Sequence, residues 1–262
     1  MKLSIITVVK DDISNIKNTI ISVRKQINNN FEHIVFDGMS SDGTYELLQK
    51  LNQNNNFKLI RYKDKNFYDG LNQAIKISKG QYIGILNSGD IYTSSNISKK
   101  ILEHMDSEID LIYGNIFYYS KNRIIRKWAK KISSNNLKEF FKIPHTSMFV
   151  KKKIIEKNNY YSLKYNISSD FDFILKCGNL NLKTKYLDSD IVFMQMGGLS
   201  TSLNNFFKKA IQDCMILKKY YKYTYPLVYV QKISSKLLDF FVKNEISSKN
   251  LLKEIQSIND LT

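Results

Sequence analysis

The sequence predicts an α/β fold in which helices flank a mainly parallel sheet and a helical C-terminal extension follows. Two observations support this prediction. Over residues 1–90, short β-branched runs alternate with segments whose apolar residues recur at helical spacing. After about residue 200 the chain becomes helical and basic, with many lysines beside aromatic residues. Strands that alternate with helices favour parallel pairing, because each helix returns the chain to the same end of the sheet.

The first four strands are predicted in order along the chain. The opening run KLSIITVVK is typical of a strand covered on both faces, and the next segment carries apolar residues at helical spacing: Ile16, Ile20, Val23 and Ile27. Three more strands are predicted in FEHIVFDG, FKLIRYK and QYIGILNSGD, with helices in YELLQKL and YDGLNQAIKISKG between them. We expect the second of these helices to end at Gly80 as its C-cap.

The rest of the sequence divides into a mixed region and a helical tail. Between residues 96 and 200 short strands and helices are scattered, and no Pro-, Gly- or Ser-rich linker separates them from the first half. We therefore predict one domain over residues 1–200, made of the halves 1–95 and 96–200, and a basic helical extension over residues 201–262.

The composition indicates a folded and strongly basic protein. Hydrophobic residues make up 43% of the chain, and 40 Lys and Arg against 24 Asp and Glu give a net charge of +16. This charge suits a nucleotide, an acidic membrane surface or a nucleic acid, but abundant Lys, Asn and Ile are equally what an AT-rich genome encodes. The charge alone therefore does not choose among these partners.

Other sequence signals exclude several classes of protein. Cys177 and Cys214 have neither CxxC nor Cys/His spacing, so no zinc site or disulfide framework is expected. Neither GxGxxG nor GxxxxGK(S/T) occurs, which disfavours dinucleotide oxidoreductases and P-loop enzymes. The first apolar run is too short for a signal peptide and no run reaches the roughly 18–20 residues of a membrane span, so a cytoplasmic location is expected.

Polar residues gather where the predicted strands end. Val9 and Lys10 close the first strand, Asp37 closes the second, residues 63–65 follow the third and residues 87–90 follow the fourth. In open parallel sheets, ligands bind beyond the carboxyl ends of the strands, so we expect the functional site there. The carboxylate of Asp37 suits hydrogen bonds from a base or ribose, although a structural ion pair is the alternative.

Six segments carry a recognisable pattern: LSIITVVKDD, IVFDGMSSDGT, KDKNFYDGLNQAIKISKGQYIGILNSGD, IPHTSMFVKK, ISSDFDFILKC and MGGLS. In this order they resemble the family 2 glycosyltransferases, inverting enzymes of the GT-A fold, especially those that build bacterial surface polysaccharides. The similarity extends from residue 3 to about residue 200. It implies a GT-A-like nucleotide-diphospho-sugar transferase fold, a nucleotide-sugar donor with UDP as the first choice, and a glycan or lipid-linked acceptor.

The resemblance assigns a metal site to the segment NSGD at the end of the fourth strand. It implies that Asp90 holds Mn²⁺ or Mg²⁺ against the donor diphosphate, as a single carboxylate combined with phosphate oxygens and waters. The segment departs from the family's DxD pattern, because Asn87 replaces the first carboxylate and is expected to contact the sugar or metal only weakly. An ordinary Asn-Ser-Gly turn, or a catalytically silent member of the family, is the alternative.

The resemblance also implies a general base in the acidic segment SSDFDF. Asp170 and Asp172 stand two residues apart, too far round a helix to share a face, so at most one is expected to face the substrate. By residue match Asp170 is the first choice and Asp172 the second. The alternative is that Ser169 and Asp170 cap the helix that follows.

Further residues match positions that line the donor pocket in this family. The resemblance implies donor contacts at Thr7, Val9, Asp37, Lys65, Tyr68, Asp69, Asn72, Asn87, Ser88 and His145. A structural histidine at position 145 and a helix-surface asparagine at position 72 are the alternatives. Gly197, Gly198 and Ser200 match a loop that closes over the donor, although paired glycines alone are more often turn residues.

The C-terminal helices and the basic charge leave further possibilities open. Phe206, Phe207, Ile211 and Met215 recur near helical spacing beside several lysines, which is typical either of a helix lying on an anionic membrane or of one packed on the domain. We expect peripheral contact at the inner face of the cytoplasmic membrane and no nucleic acid. The alternatives are a basic nucleic-acid-binding module, which lacks any recognised motif, and a nucleotidyltransferase, which lacks a glycine in the segment VVKDDISN.

Overall fold

The computed structural model describes residues 1–27, 30–120, 123–128, 130–133, 137–197, 205–241 and 249–259. Its strands are β1 (Leu3–Val9), β2 (Phe31–Asp37), β3 (Lys58–Arg61), β4 (Tyr82–Ile85), β5 (Ile91–Tyr92), β6 (Leu111–Ser120), β7 (Arg123–Trp128), β8 (Phe149–Lys151) and β9 (Thr184–Gln195). Its helices are α1 (Ile13–Arg24), α2 (Thr44–Leu51), α3 (Phe67–Ile77), α4 (Ile97–Glu103), α5 (Leu137–Phe140), α6 (Lys152–Lys157), α7 (Ser169–Gly178), α8 (Phe206–Tyr221), α9 (Tyr225–Phe241) and α10 (Lys249–Asn259).

Within the described ranges these strands form one sheet, in the order β3-β2-β1-β4-β8-β6-β9-β5, with β7 paired to β6. Strands β1 to β4 are parallel, as the alternation of strands and helices predicts, whereas the short β5 pairs antiparallel with β9. The second half is mixed: β6 and β9 are parallel, whereas β8 pairs antiparallel with β4 and β6. Because β4 and β8 join the two halves, the sheet is continuous across residue 95, and the predicted α/β class is confirmed.

Helices cover both faces of the parallel half, which explains why every residue of β1 is buried. On one face, Ile16 of α1 and Leu48 of α2 pack in a cluster with Val35 of β2. On the other face, Leu71 and Ile75 of α3 belong to the largest cluster of the core. A strand buried on both faces is a continuous apolar run, so polar groups occur where the strand ends.

The prediction that Gly80 caps α3 is wrong. The helix ends at Ile77 and its C-cap is Ser78, whose hydroxyl donates a hydrogen bond of 2.6 Å to the carbonyl of Ile75. Gly80 instead lies against the backbone of Ser4, and its amide donates to Ser4 Oγ at 2.8 Å. A Cβ at position 80 would overlap the Ser4 amide, so close backbone approach explains this glycine.

The C-terminal helices pack on the domain in two separate places. Leu217 of α8 and Val228 of α9 share an apolar cluster with Phe171 of α7. The last helix, α10, lies against α1, where Lys25 forms an ion pair of 3.0 Å with Glu254. Across the described ranges, no helix combines the length and the apolarity needed to cross a bilayer.

Candidate active site

A cavity of about 730 Å³ opens at the carboxyl ends of β1 and β4. Its walls come from the segments after these two strands, from the start of α3, from β6 and β7, and from the first turn of α7. Of the C-terminal helices, α8 and α9 each add one lysine. Eight of the residues predicted to form the site line this cavity: Val9, Lys65, Tyr68, Asn87, Ser88, Asp90, His145 and Asp170.

Asp90 lies in a turn that is held from three sides. Gly89 has a φ of +88°, the left-handed region that glycine adopts without strain. Thr19 Oγ1 of α1 donates to the Asp90 carbonyl at 2.8 Å and accepts from the Gly89 amide at 2.9 Å, and Tyr119 Oη of β6 donates to the Gly89 carbonyl at 2.7 Å. The backbone amide of Gln195 donates to Asp90 Oδ1 at 2.9 Å, so the carboxylate has a fixed position.

The oxygen atoms around Asp90 fit a divalent cation shared with a substrate. Burial raises the pKa of Asp90 to about 7, which indicates that its charge has little compensation within the protein. Asn87 Nδ2 lies 3.4 Å from Asp90 Oδ2, while Asn87 Oδ1 and Ser88 Oγ are buried without a hydrogen-bond partner. In the described part of the chain, no cluster of three or more His, Cys, Asp or Glu could hold a metal by itself. Carboxylate and amide oxygens suit Mg²⁺ or Mn²⁺ when phosphate oxygens complete the coordination.

Asp170 lies in the first turn of α7 and borders the cavity. Its Oδ1 accepts from the Phe171 amide at 2.8 Å and lies 3.2 Å from Tyr68 Oη, whose single proton can also reach the Ile167 carbonyl at 2.9 Å. Burial alone would raise the pKa of Asp170, but the charge of Lys209, the hydrogen bond from the Phe171 amide and the charge of Lys232 act in the opposite direction, and the pKa lies below its ordinary value. Asp170 is therefore an ionised carboxylate at neutral pH, ready to accept a proton.

His145 borders the same part of the cavity from the short 3₁₀ turn His145–Ser147. Its Nε2 lies 2.8 Å from Tyr161 Oη, and the two rings meet edge to face. Burial lowers the pKa of His145, although Asp170 acts in the opposite direction. A largely neutral imidazole anchored by Tyr161 therefore stands beside the ionised Asp170.

Five residues predicted to form the site do not border the cavity. Thr7 Oγ1 bonds with His33 Nε2 at 3.0 Å, and Asp37 is fully buried beside Arg61 Nε at 3.4 Å. Asp69 Oδ2 accepts from the Lys65 amide at 3.0 Å, and so fixes the loop that leads into α3. The remaining two, Asn72 and Asp172, are held by contacts within the protein.

Those last two residues illustrate how a site position can also be structural. Asn72 exchanges two hydrogen bonds with the backbone of Tyr161, at 2.8 and 3.0 Å, and so joins α3 to the second half. Asp172 is 1% exposed and accepts from Lys219 Nζ at 3.0 Å. Of the glycine loop, Gly197 borders the cavity, whereas Gly198 and Ser200 lie outside the described residues.

Several cavity residues are absent from the sequence-based site. Asp64 follows β3 between two lysines, and its pKa is raised, first by burial and also by the charges of Asp69 and Asp37. On β7, Arg126 and Trp128 face the cavity; the Arg126 guanidinium lies 4.2 Å from the ring centre of Tyr118. Their i, i+2 spacing places both side chains on one face of a strand, a signal that the sequence contains. The cavity lysines of α8 and α9, Lys209 and Lys232, have no such signal.

The fold and the cavity define an α/β protein whose ligand site lies beyond the carboxyl ends of a parallel sheet. A sequence model of the family described as Glycosyl transferase family 2 matches residues 4–171. The chain therefore belongs to glycosyl transferase family 2, as its motifs indicate. A relative from Mycobacterium bovis, named a PGL/p-HBAD biosynthesis glycosyltransferase, is 27% identical over 190 residues, which is 70% of this chain and 72% of the relative.

Solved structures show the same fold at low sequence identity. The structure of S. aureus TarS 1-349 in complex with UDP-GlcNAc has a TM-score of 0.65 and 15% identity, and the match covers 99% of this chain and 80% of that one. The mannosyltransferase PcManGT from Pyrobaculum calidifontis, in complex with GDP-Man and Mn²⁺, has a TM-score of 0.64 and 10% identity over 100% of this chain and 81% of that one. These matches confirm the predicted GT-A-like fold.

Proposed function

We propose that this glycosyltransferase moves a sugar from a nucleoside-diphosphate donor, UDP being the first choice, to a hydroxyl of a glycan or lipid-linked oligosaccharide. The product would belong to a bacterial surface polysaccharide such as O-antigen, capsule or lipooligosaccharide. The observation that carries this proposal is that Asp90 and Asp170, from different halves of the chain, border one cavity. Complexes of structural neighbours with UDP-GlcNAc and with GDP-Man and Mn²⁺ support a nucleotide-sugar donor.

In the proposed reaction Asp170 is the general base. It takes the proton of the acceptor hydroxyl while that oxygen bonds to the anomeric carbon, and the bond from that carbon to the diphosphate oxygen breaks with its electron pair on the diphosphate. Attack from the face opposite the leaving group inverts the anomeric configuration. The Phe171 amide and the Tyr68 hydroxyl, 2.8 and 3.2 Å from Asp170 Oδ1, hold the carboxylate in position.

The leaving diphosphate requires stabilisation on the side of the cavity that holds Asp90. Asp90 and Asn87 would hold Mn²⁺ or Mg²⁺ there, because the Asn87 Oδ1 atom is buried without a partner beside the Asp90 carboxylate. A bound divalent ion would supply Lewis acidity that neutralises the developing negative charge. Lys65, which is exposed at the cavity, offers a second positive group for the phosphates.

A screen of donors tests this function. We expect one nucleoside diphosphate among UDP, GDP and dTDP, together with Mn²⁺, to raise the melting temperature, because a ligand at about 100 times its Kd stabilises by about 2.7 kcal/mol. The matching sugar nucleotide should then be hydrolysed slowly with release of that diphosphate. If no nucleoside diphosphate raises the melting temperature, with either metal, the assignment of a nucleotide-sugar donor is wrong.

The C-terminal helices support a peripheral location at an anionic membrane surface. Five apolar side chains of α8 and α9 are between 62% and 76% exposed: Phe206, Phe207, Ile211, Leu227 and Val230. The chain carries a net charge of +16, which complements anionic lipids. We expect Phe206→Ser with Phe207→Ser to reduce sedimentation with phosphatidylglycerol vesicles, and Ile27→Ser, at an exposed apolar residue elsewhere, to leave it unchanged. Equal sedimentation of all three proteins would contradict this location.

A further inference from the structure

The charges on the cavity wall are divided between the two halves of the chain. Among the described residues, the wall from residues 1–95 carries four carboxylates and two lysines: Asp11, Asp12, Asp64, Asp90, Lys10 and Lys65. The wall from later residues carries one carboxylate, Asp170, and five cations: Arg126, Lys130, Lys142, Lys209 and Lys232. Glu139 pairs with Lys142 and Asp213 pairs with Lys232, so the side of the cavity that contains the proposed base keeps a smaller excess of positive charge.

Two of these cations, Lys209 and Lys232, come from the C-terminal helices and border the same cavity as Asp170. Gln212, one turn after Lys209 in α8, accepts from the backbone amides of residues 167 and 168 at 3.0 and 3.1 Å, so this part of α8 lies against the segment that leads into Asp170. Consistent with this arrangement, both lysines act to lower the pKa of Asp170. Lys232 is held in place, since its Nζ lies 2.7 Å from Asp213 Oδ2 and 3.3 Å from the ring centre of Phe171. Lys209 is half-buried at the cavity and forms no hydrogen bond or ion pair with the described residues.

An acceptor hydroxyl that reaches Asp170 must lie beside these two lysines. Carboxylates already pair with Lys142 and Lys232, whereas a neutral sugar would offer no negative charge to Lys209. In a partly enclosed space opposite charges attract more strongly than in water. An anionic group on the acceptor would supply this negative charge, because Lys and Arg are the usual binding groups for phosphate and carboxylate.

We propose that the acceptor carries a phosphate or carboxylate group next to the hydroxyl that is glycosylated, and that Lys209 of α8 binds this group. The inference rests on the proposed function, because it takes Asp170 as the base. It extends that function by assigning the charge class of the acceptor, and by giving the C-terminal helices, which lie beyond residues 4–171 of the family match, a part in the active site.

The test compares three small probes on the same sugar: methyl glucoside, methyl glucoside 6-phosphate and methyl glucuronide. Binding is measured by calorimetry with the donor site saturated by Mn²⁺ and the best nucleoside diphosphate from the donor screen. We expect at least one charged probe to bind about tenfold tighter than the neutral probe, with the advantage lost at high salt. Equal binding of all three probes, or binding of none, would overturn the proposal.

Lysine substitutions then test whether Lys209 binds the anionic group of the probe. Lys209→Gln should remove the preference for the charged probe while the Kd for the nucleoside diphosphate stays the same. Lys208→Gln is the matched control, because Lys208 has the same charge on the next residue and does not border the cavity. If Lys209→Gln instead weakens nucleotide binding, the lysine serves the donor diphosphate and the proposal is wrong. Failure of every nucleotide to bind would count against the donor assignment, and the probe comparison can still be made without nucleotide.

Discussion

Asp170 and Asp172 lie two residues apart in α7 and point into different surroundings. Asp170 borders the cavity with Oδ1 bonded to the Phe171 amide, whereas Asp172 is 1% exposed between Lys176 at 3.5 Å and Lys219 at 3.0 Å. One carboxylate is therefore available to a substrate and the other ties α7 to α8. Replacing each aspartate with asparagine should therefore affect different properties: transfer at position 170 and stability at position 172.

Asp170→Asn should remove the general base while preserving the shape of the side chain. We expect transfer to fall by about 10²–10⁴-fold, the usual contribution of a general base, with unchanged melting temperature and unchanged Kd for the nucleoside diphosphate. Steady-state transfer and nucleotide titration measure the two quantities. Transfer at the wild-type rate would mean that another group accepts the proton.

Asp172→Asn should instead reduce stability. The substitution leaves Lys219 and Lys176 without their shared buried carboxylate, so we expect the free energy of unfolding to fall by about 1–3 kcal/mol. Transfer by the folded variant should stay within a few-fold of the wild type. Glu156→Gln is the control, because Glu156 also pairs with a lysine four residues away, at 3.9 Å, but on the surface. Loss of transfer in a stably folded Asp172→Asn protein would assign Asp172 to catalysis.

Asp90→Asn should separate metal binding from folding. Because burial raises the pKa of Asp90 to about 7, its ionised form costs stability in the metal-free protein, and the neutral amide is expected to fold at least as well. The stabilisation given by Mn²⁺ with a nucleoside diphosphate should be lost. Transfer should fall at least about 100-fold, since a metal ion contributes several kcal/mol to such a step. Transfer that is insensitive to both Asp90→Asn and a chelator would exclude this metal site.

The sequence was sufficient to predict the strands and helices whose positions follow from the local pattern of apolar residues. All four strands and three helices of residues 1–85 lie where apolar periodicity predicts them, because burial on both faces of a parallel sheet imposes that periodicity. The turn after β4 was likewise predictable, since parallel strands bring their carboxyl ends to one edge. The C-cap of α3 was not predictable in this way. Glycine is the usual residue at a helix C-cap, but Gly80 is a glycine because it lies in close contact with Ser4, which is distant in the chain.

The cavity itself could be predicted only in part. Motif matches cannot tell a side chain that borders the cavity from one that fixes its wall, and Asn72 and Asp69 belong to the second kind because both bond to backbone atoms. Arg126 and Trp128 were predictable in principle from strand alternation. Lys209 was not, because nothing local determines where a C-terminal helix docks on a domain.

The pH dependence of stability should depend strongly on His33. Burial lowers the pKa of His33 to about 3, while the unfolded chain protonates a histidine near pH 6.5, so the unfolded state binds more protons below pH 6.5 and stability falls as the pH falls. Between pH 7 and pH 5 this group should cost about 2 kcal/mol. Asp90, whose pKa is raised to about 7, acts in the opposite direction over the same range, so the contribution of His33 is the difference in pH dependence between the wild type and a His33 variant. His33→Gln, whose amide can still bond to Thr7, should remove that loss in urea unfolding at the two pH values, whereas His104→Gln, at an exposed histidine, should retain it. An equal loss in the wild type and in His33→Gln would show that the neutral buried imidazole is not responsible.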